Sequence, residues 1–201
     1  MAINAAYATA ANYRSVVGKT DTGQDAEILT DLTAISRYLE GKLGRFFNKD
    51  ASDVARIYLP VRSTATLRVD DLSAAPTTVK IDMDQDGVYE TDIDSSDYEL
   101  LPLNADKGPE PRPFTQIRLV SWGDYSWWLA GQRVEVTGKW GWPAVPGPVQ
   151  RATIHLAAIL RLETPRATRR IVELEGAIEA SADAMSIVRQ LTDAYQRISY
   201  V

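Results

Sequence analysis

Cysteine is absent from the 201-residue sequence, and histidine occurs once, as His155. Without cysteine the chain can form no disulfide, thiolate metal site or cysteine nucleophile. His155 has no histidine, cysteine or carboxylate one helical turn further on, so it is a poor metal ligand or catalytic base. Glycine-rich phosphate loops and the G-x-S-x-G and HExxH motifs are missing too. We therefore predict that the protein is not an enzyme and uses no cofactor.

Long apolar runs are also missing from the sequence. No stretch approaches the roughly 20 apolar residues that a membrane-spanning helix needs, and the N-terminus lacks the basic start and apolar core of a signal peptide. At 45% apolar residues, the chain can nevertheless bury a substantial core. We expect a folded protein that is neither exported by a signal peptide nor inserted into a membrane.

Basic residues are scarce in one part of the chain. Residues 70–110 contain 12 acidic side chains and two lysines, which gives a charge of −10. Because the whole chain carries −5, the remainder carries +5 (−5 minus −10). We call residues 70–110 the acidic lobe and expect it to repel the phosphates of nucleic acid.

The densest basic cluster follows the helical pattern that begins at Pro148. It consists of Arg166, Arg169 and Arg170, with Arg161 and Arg151 one or more helical turns earlier. These side chains could contact a partner's carboxylates or the phosphates of DNA. A solvated hinge, or the cationic end of a helix, explains the cluster equally well.

Two strong helical patterns flank a middle region that is rich in short strands. The first pattern is preceded by Asp21 and Thr22 as candidate N-caps and followed by Gly44 or Gly41 as a candidate C-cap. The second pattern begins at Pro148, which suits a first helical turn. Their apolar stripes are Ile28, Leu32, Ile35, Leu39 and Leu43, and Val149, Ala152, Leu156, Ile159 and Leu160.

The middle region contains about six or seven short runs rich in Val, Ile, Thr and Tyr, which predict antiparallel strands. The last run alternates apolar and polar residues and meets Gly138 and Gly141, which allow tight bends. The predicted fold is therefore α+β. Residues 1–50 and 147–201 form a helical bundle, and residues 51–146 form an inserted antiparallel β-sandwich or small barrel.

A third apolar stripe lies near the end of the chain. It consists of Met185, Val188, Leu191, Tyr195 and Ile198, at the spacing of one helix face. An apolar face needs a partner, and this one could pack on its own domain or on a neighbouring molecule.

All five tryptophans fall within residues 122–142. Tryptophan buries a large area and is enriched at protein contacts, so packing in a core or at a protein interface is the favoured role. The candidates for an interface are Trp127, Trp128 and Trp142. A platform that stacks sugars or bases is the alternative.

Residues 82–87, DMDQDG, copy the start of a calcium-binding loop. The copy is incomplete. A calcium loop needs a bidentate glutamate at position 12, and that position is occupied by Ile93 here. An Asp-Gly hairpin turn explains the motif without a metal. The alternative is a calcium site at Asp82, Asp84 and Asp86 which, with the tryptophans, would make a β-sandwich carbohydrate-binding module.

Four elements of the sequence occur together in a recognisable order. Residues 35–47, ISRYLEGKLGRFF, form an early helical pattern that ends in a G-R-x-F-like element. Residues 84–89 match a D-x-D-G-x-Y hairpin, and residues 97–100 match a Tyr-containing strand. Residues 134–162 match a V-x-V-x-G-x-x-G strand followed by a Pro-led helix. Together these elements resemble the phage head-tail connector family, the adaptor or head-completion proteins of long-tailed double-stranded DNA phages and related particles.

The resemblance implies a structural adaptor that forms a ring, typically twelve-fold, under the portal and joins the DNA-filled capsid to the tail. Its partners would be the portal protein, neighbouring copies, and a tail-completion or stopper protein. Double-stranded DNA would pass through without specific binding. The protein would be part of the virion neck, assembled in the bacterial host cytoplasm. In the family the C-terminal segment often reaches the portal, so the stripe from Met185 to Ile198 is the candidate portal-docking element.

Overall fold

A computed structural model describes residues 5–163 and 182–196 of the chain. In these ranges the chain is an α+β protein, as predicted. A short 3-10 helix, Asp193–Tyr195, follows the last helix. The helices are α1 (Ala10–Val17), α2 (Asp25–Leu43), α3 (Gly147–Glu163) and α4 (Ala182–Thr192). The strands are β1 (Val54–Tyr58), β2 (Thr66–Leu72), β3 (Thr78–Asp82), β4 (Thr91–Asp92), β5 (Tyr98–Leu101), β6 (Phe114–Leu119) and β7 (Arg133–Gly138).

The described residues divide into two compact units. The β unit is Asn48–Ala144, and the helical unit consists of the described residues on either side of it. In the helical unit, α2 packs against α1 and α3, and α3 packs against α4. None of the described helices has both the length and the apolar character that a membrane span requires.

Helix α2 buries the stripe that its sequence predicts. Ile28, Leu32, Ile35, Leu39 and Leu43 are all buried, at the spacing of a single helix face. The helix ends at Gly44, which has a φ of 61° and donates its N–H to the carbonyl of Glu40 at 2.9 Å. The prediction of a left-handed glycine at this end is confirmed, and Gly44 is the residue that provides it.

The predicted N-cap of α2 is wrong. The helix begins at Asp25, and its N-cap residue is Gln24, whose side chain makes no capping hydrogen bond. Asp21 instead accepts a hydrogen bond from the backbone N–H of Gly23 at 2.9 Å, in a local turn before the helix. Asp25 and Glu27 place negative charge in the first turn, where the helix dipole favours it.

The seven strands form two antiparallel sheets, with strand orders β1-β7-β3-β4 and β2-β6-β5. No closed barrel occurs in the described part of the chain. One apolar core includes side chains from both sheets, such as Val79 and Val136 of the first sheet and Leu67 and Ile117 of the second. Along β7 the buried residues alternate with half-exposed ones, as the sequence pattern predicts.

The corner after β7 is built around Gly141. This glycine has a φ of 100°, and a Cβ added to it would lie 1.8 Å from the carbonyl oxygen of Asn48. Its N–H donates to the carbonyl of Asp71 at 2.7 Å, and the indole of Trp142 donates to the Asp71 carboxylate at 3.1 Å. The corner therefore requires glycine for both backbone angle and space.

Gly138 has a different role from the bend that its sequence suggests. It is the last residue of β7, and a Cβ there would lie 3.0 Å from Cδ1 of Leu72. The φ of Gly138 is not positive, so its backbone angle does not require glycine. The glycine instead leaves room for the close approach of Leu72 to the strand.

Candidate functional site

The β unit carries a set of large apolar side chains on its surface. These residues, which we call the apolar strip, are Ile57, Leu59, Val61, Trp127 and Leu129. Val61 is 98% exposed and Trp127 is 57% exposed, although side chains of this size are usually buried in a folded chain. Several exposed apolar side chains on neighbouring segments are typical of a site of protein association.

Backbone hydrogen bonds bring the two segments of the apolar strip together. Thr64 and Trp128 exchange N–H to carbonyl bonds of 3.0 and 2.8 Å, and the N–H of Gly131 donates to the carbonyl of Pro60 at 2.9 Å. Trp128 points into the core, so its neighbours Trp127 and Leu129 point outward, as in an extended strand. The strip is therefore held on a defined backbone.

Strand β1 lies at the end of its sheet, next to β7 alone among the described strands. A charged network anchors it. The guanidinium of Arg56 donates to the carboxylate of Asp70 at 2.7 Å and lies 4.6 Å from the ring centre of Trp140. The hydroxyl of Tyr58 donates to the same carboxylate at 3.2 Å, and burial raises the pKa of this hydroxyl, which keeps its proton. Ile57, between Arg56 and Tyr58, is left facing outward.

The structure separates the tryptophans into two groups. Trp128, Trp140 and Trp142 are buried, and each donates its indole N–H within the β unit. Trp122 and Trp127 are exposed. Of the three interface candidates, Trp127 is therefore the one that a partner could reach, while Trp128 and Trp142 pack inside the chain. Only two indoles are left for a sugar-stacking platform.

The predicted portal-docking stripe lies partly outside the described residues. Met185 lies in α4, and Ile198 is beyond the described range. Val188 and Tyr195 are buried in the helical unit, where the Tyr195 ring meets the edge of Phe47 at 6.1 Å between ring centres. Leu191 is half-buried. These side chains pack on their own unit, and docking of the stripe to a portal stays a prediction.

The basic candidates Arg166, Arg169 and Arg170 lie outside the described residues. Arg161, one turn before them, has a side chain that is only 6% exposed. Its guanidinium donates to the carboxylate of Asp31 at 2.6 Å and to the side-chain carbonyl of Gln24 at 2.8 Å. Arg161 therefore joins α3 to α2. His155 is exposed on α3.

The DMDQDG motif lies in a hairpin between the antiparallel strands β3 and β4, as predicted, but the connection runs from Met83 to Glu90 and is longer than an Asp-Gly turn. We call residues 82–90 the acidic hairpin. One carboxylate oxygen from each of four side chains lies within 4.8 Å of the others, and these side chains are Asp82, Asp84, Asp86 and Glu90. Glu90 was not among the sequence candidates, because the calcium pattern was matched only at its opening aspartates and at position 12. The signal that the sequence offered was a carboxylate at position 9 of a calcium loop that begins at Asp82.

No protein-family model matches this chain, and no curated protein matches it. Solved structures with the same fold come from gene transfer agent particles. A chain in the neck of the empty particle, computed with C6 symmetry, has a TM-score of 0.56 at 17% identity, covering 97% of this chain and 92% of that chain. A chain in the virion of the native particle has a TM-score of 0.53 at 19% identity, with the same two coverages.

A third similar chain comes from the neck of the native particle, computed with C12 symmetry. Its TM-score is 0.54 at 19% identity, covering 95% of this chain and 89% of that chain. At these identities the likeness shows a shared fold, and it extends over nearly the full length of both chains. The fold is therefore that of a chain in a phage-like neck.

Proposed function

We propose that this chain is a structural adaptor that forms a ring under the portal of a phage-like particle and joins the DNA-filled capsid to the tail. The observation that carries the proposal is the likeness of fold to neck chains over 95–97% of this sequence. The sequence resemblance to head-tail connectors supports the same role. An adaptor acts by binding other proteins, and the exposed apolar strip provides a surface for binding.

The neighbour that we assign to the apolar strip is a second copy of this chain in the ring. Two of the similar neck chains belong to particles whose necks were computed with C6 and C12 symmetry. A closed ring is built from heterologous contacts, in which one face of each copy meets a different face of the next. The strip supplies an apolar anchor such as Trp127, which is the residue type that dominates the free energy of protein contacts. A twelve-fold ring is the expected size.

We expect the acidic lobe to prevent DNA from binding to the wall of the ring. DNA passing through the ring would meet like charge wherever the lobe faces the channel, because the lobe carries −10. Tight binding to phosphates would require clustered Lys and Arg instead. DNA can therefore pass without specific contacts.

The end of the chain is our candidate for portal docking, and a tail-completion or stopper protein is the expected partner on the other side of the ring. Within α4, Val188 fixes the helix to its own unit, while Ser186, Arg189 and Gln190 are exposed. In this proposal the buried residues hold α4 in place, and its exposed side contacts the portal.

The test is to mix the purified chain with a purified portal ring from the same particle. Sedimentation gives the mass of the complex, and electron microscopy shows where the chain binds. We expect added density on one face of the portal, with rotational symmetry. A chain that sediments alone beside an intact portal at micromolar concentrations would contradict the proposal. A monomer in the absence of portal would not, because the portal can act as the template.

A further inference from the structure

We propose that the acidic hairpin binds one calcium ion through Asp82, Asp84, Asp86 and Glu90. The proposal is independent of the adaptor role. Four carboxylates whose ligand atoms lie within 4.8 Å of one another repel each other, and a shared cation would turn this repulsion into attraction. Among the described residues, no lysine or arginine forms an ion pair with any of these four carboxylates.

Asp82 gives the independent sign that a ligand belongs here. Its side chain is completely buried, at 0% exposure. One oxygen, Oδ2, accepts the N–H of Gly87 at 3.0 Å, whereas Oδ1 has no hydrogen-bond partner in the described part of the chain. A buried carboxylate oxygen without a partner is costly, because it has lost its hydration and gained nothing in return. A cation bound beside Asp82 would give this buried carboxylate a partner of opposite charge.

The spacing of the four residues explains why the sequence pattern looked incomplete. If Asp82 is loop position 1, then Asp84, Asp86 and Glu90 are positions 3, 5 and 9, all of which supply ligands in calcium loops. Position 12 is Ile93, which is buried in the apolar core of the β unit. Glu90 therefore supplies a carboxylate at position 9, where many calcium loops use a water. The side chain that a standard loop takes from position 12 is not needed for a four-carboxylate site.

Calcium is the cation that suits this donor set. All four donors are hard carboxylate oxygens, without the imidazole or thiolate that zinc and copper select. Calcium accepts six to eight oxygen ligands in flexible geometry, whereas magnesium demands a near-ideal octahedron and gives up its waters reluctantly. Three of the four carboxylates are exposed, so their side chains have room to adjust to the irregular coordination that calcium accepts.

The expected effect of calcium is to hold the acidic hairpin in one conformation. All four carboxylates already accept one backbone N–H from within the hairpin, donated by Met83, Asp86, Gly87 and Val88. A shared cation would add a second link between the two arms of the hairpin, beside the hydrogen bond from Met83 to Glu90. It would also reduce the charge of the acidic lobe from −10 to −8, since the ion carries two positive charges.

Titration calorimetry of the full chain with calcium chloride tests the site. The chain is first treated with chelator, and thermal unfolding is followed with and without calcium. We expect one ion per chain, a higher melting temperature with calcium, and binding of magnesium chloride that is at least about tenfold weaker. Absence of both heat and a melting shift at millimolar calcium would overturn the proposal.

Amide variants distinguish a built site from general attraction of cations to a negative surface. Asp84→Asn and Glu90→Gln alter exposed side chains, so both variants keep the fold, and each should weaken calcium binding at least about tenfold. The matched control is Asp92→Asn, which removes one charge from the same hairpin at a residue that pairs with Lys80 at 3.5 Å. This control should bind calcium within about twofold of the wild type. Equal losses of calcium affinity in Asp92→Asn and Glu90→Gln would show that calcium is attracted to the negative surface in general, which would overturn the proposed site.

Discussion

At the scale of single residues, the positions that tolerate least change are those where backbone and neighbours leave no room. Gly141 combines a left-handed φ with the carbonyl of Asn48 directly beside it, while Gly131 has a similar φ, 78°, and open space around it. The sequence pointed to Gly141 as a bend. It did not show Asn48, which is 93 positions earlier in the chain.

Gly141→Ala is therefore expected to destabilise the protein far more than Gly131→Ala. The Gly131 variant should lose about 1–2 kcal/mol of unfolding free energy, the cost of a left-handed conformation for a side chain. The Gly141 variant adds a backbone clash and should lose more than about 4 kcal/mol or fail to fold. Urea unfolding followed by tryptophan fluorescence measures both. Equal losses in the two variants would show that the clash is relieved by a small movement of Asn48.

Glu40 on α2 is the residue whose titration should affect stability. Burial raises the pKa of this carboxyl, even though the hydroxyl of Tyr7 donates to it and the guanidinium of Arg37 lies 2.8 Å away. A raised pKa in the fold means that the protonated form is favoured there. The contribution to stability is complete below the unfolded pKa of about 4.3 and is lost as the pH rises through the folded value.

Glu40→Gln removes this titration, so the variant should gain stability relative to the wild type as the pH rises from about 4 to 7. In this pH interval the folded wild type binds more protons than the unfolded chain, so the stability of the wild type falls as the pH rises. Unfolding free energies of the two proteins, measured by urea at several pH values, give the difference. A difference that stays constant, or that falls with rising pH, would show that Tyr7 and Arg37 outweigh burial.

At the scale of elements, helices α2 and α3 illustrate what periodicity predicts and what it leaves out. The apolar stripe of each helix was readable from the sequence, because a helix repeats every 3.6 residues wherever it is. The ion pair between Arg161 of α3 and Asp31 of α2 joins residues 130 apart. No local pattern marks such a pair, and Arg161 looked like part of the basic cluster near residue 166.

Arg161→Ala is expected to cost about 3 kcal/mol of unfolding free energy, because it leaves the carboxylate of Asp31, only 10% exposed, without its cation. The matched control is Arg151→Ala on the exposed side of the same helix, which should change stability by less than about 0.5 kcal/mol. Replacing both partners, Arg161→Met with Asp31→Leu, should recover at least half of the loss. Thermal and urea unfolding provide the measurements, and similar losses for the two arginines would argue against the buried pair.

At the scale of the whole molecule, three surface features stand out among the described residues: the apolar strip and the acidic lobe of the β unit, and the exposed side of α4 in the helical unit. In the proposed ring, the apolar strip would meet a neighbouring copy, the acidic lobe would face DNA, and the exposed side of α4 would meet the portal. The apolar strip is the surface whose removal should affect assembly without affecting the fold, because its side chains already face solvent in the single chain.

Trp127→Ser combined with Leu129→Ser should weaken formation of the ring on the portal by more than about tenfold while leaving the melting temperature of the single chain unchanged. The control is Trp122→Ser, which removes an exposed indole, 76% exposed, that is not part of the strip. Sedimentation with the portal ring measures both effects. If the control weakens assembly as much as the strip variant, the contact lies elsewhere on the β unit.

The sequence by itself determined the class of the fold, the apolar faces of α2 and α3 and a count of about six or seven strands, of which the structure has seven, because these depend on patterns that repeat along a few neighbouring residues. Only the tertiary structure decided which of the five tryptophans are exposed, because three find hydrogen-bond acceptors and a core on other strands. It also brought Glu90 beside Asp82. The distance between two side chains across a hairpin depends on how the strands pair, and that pairing is set by packing of the whole β unit.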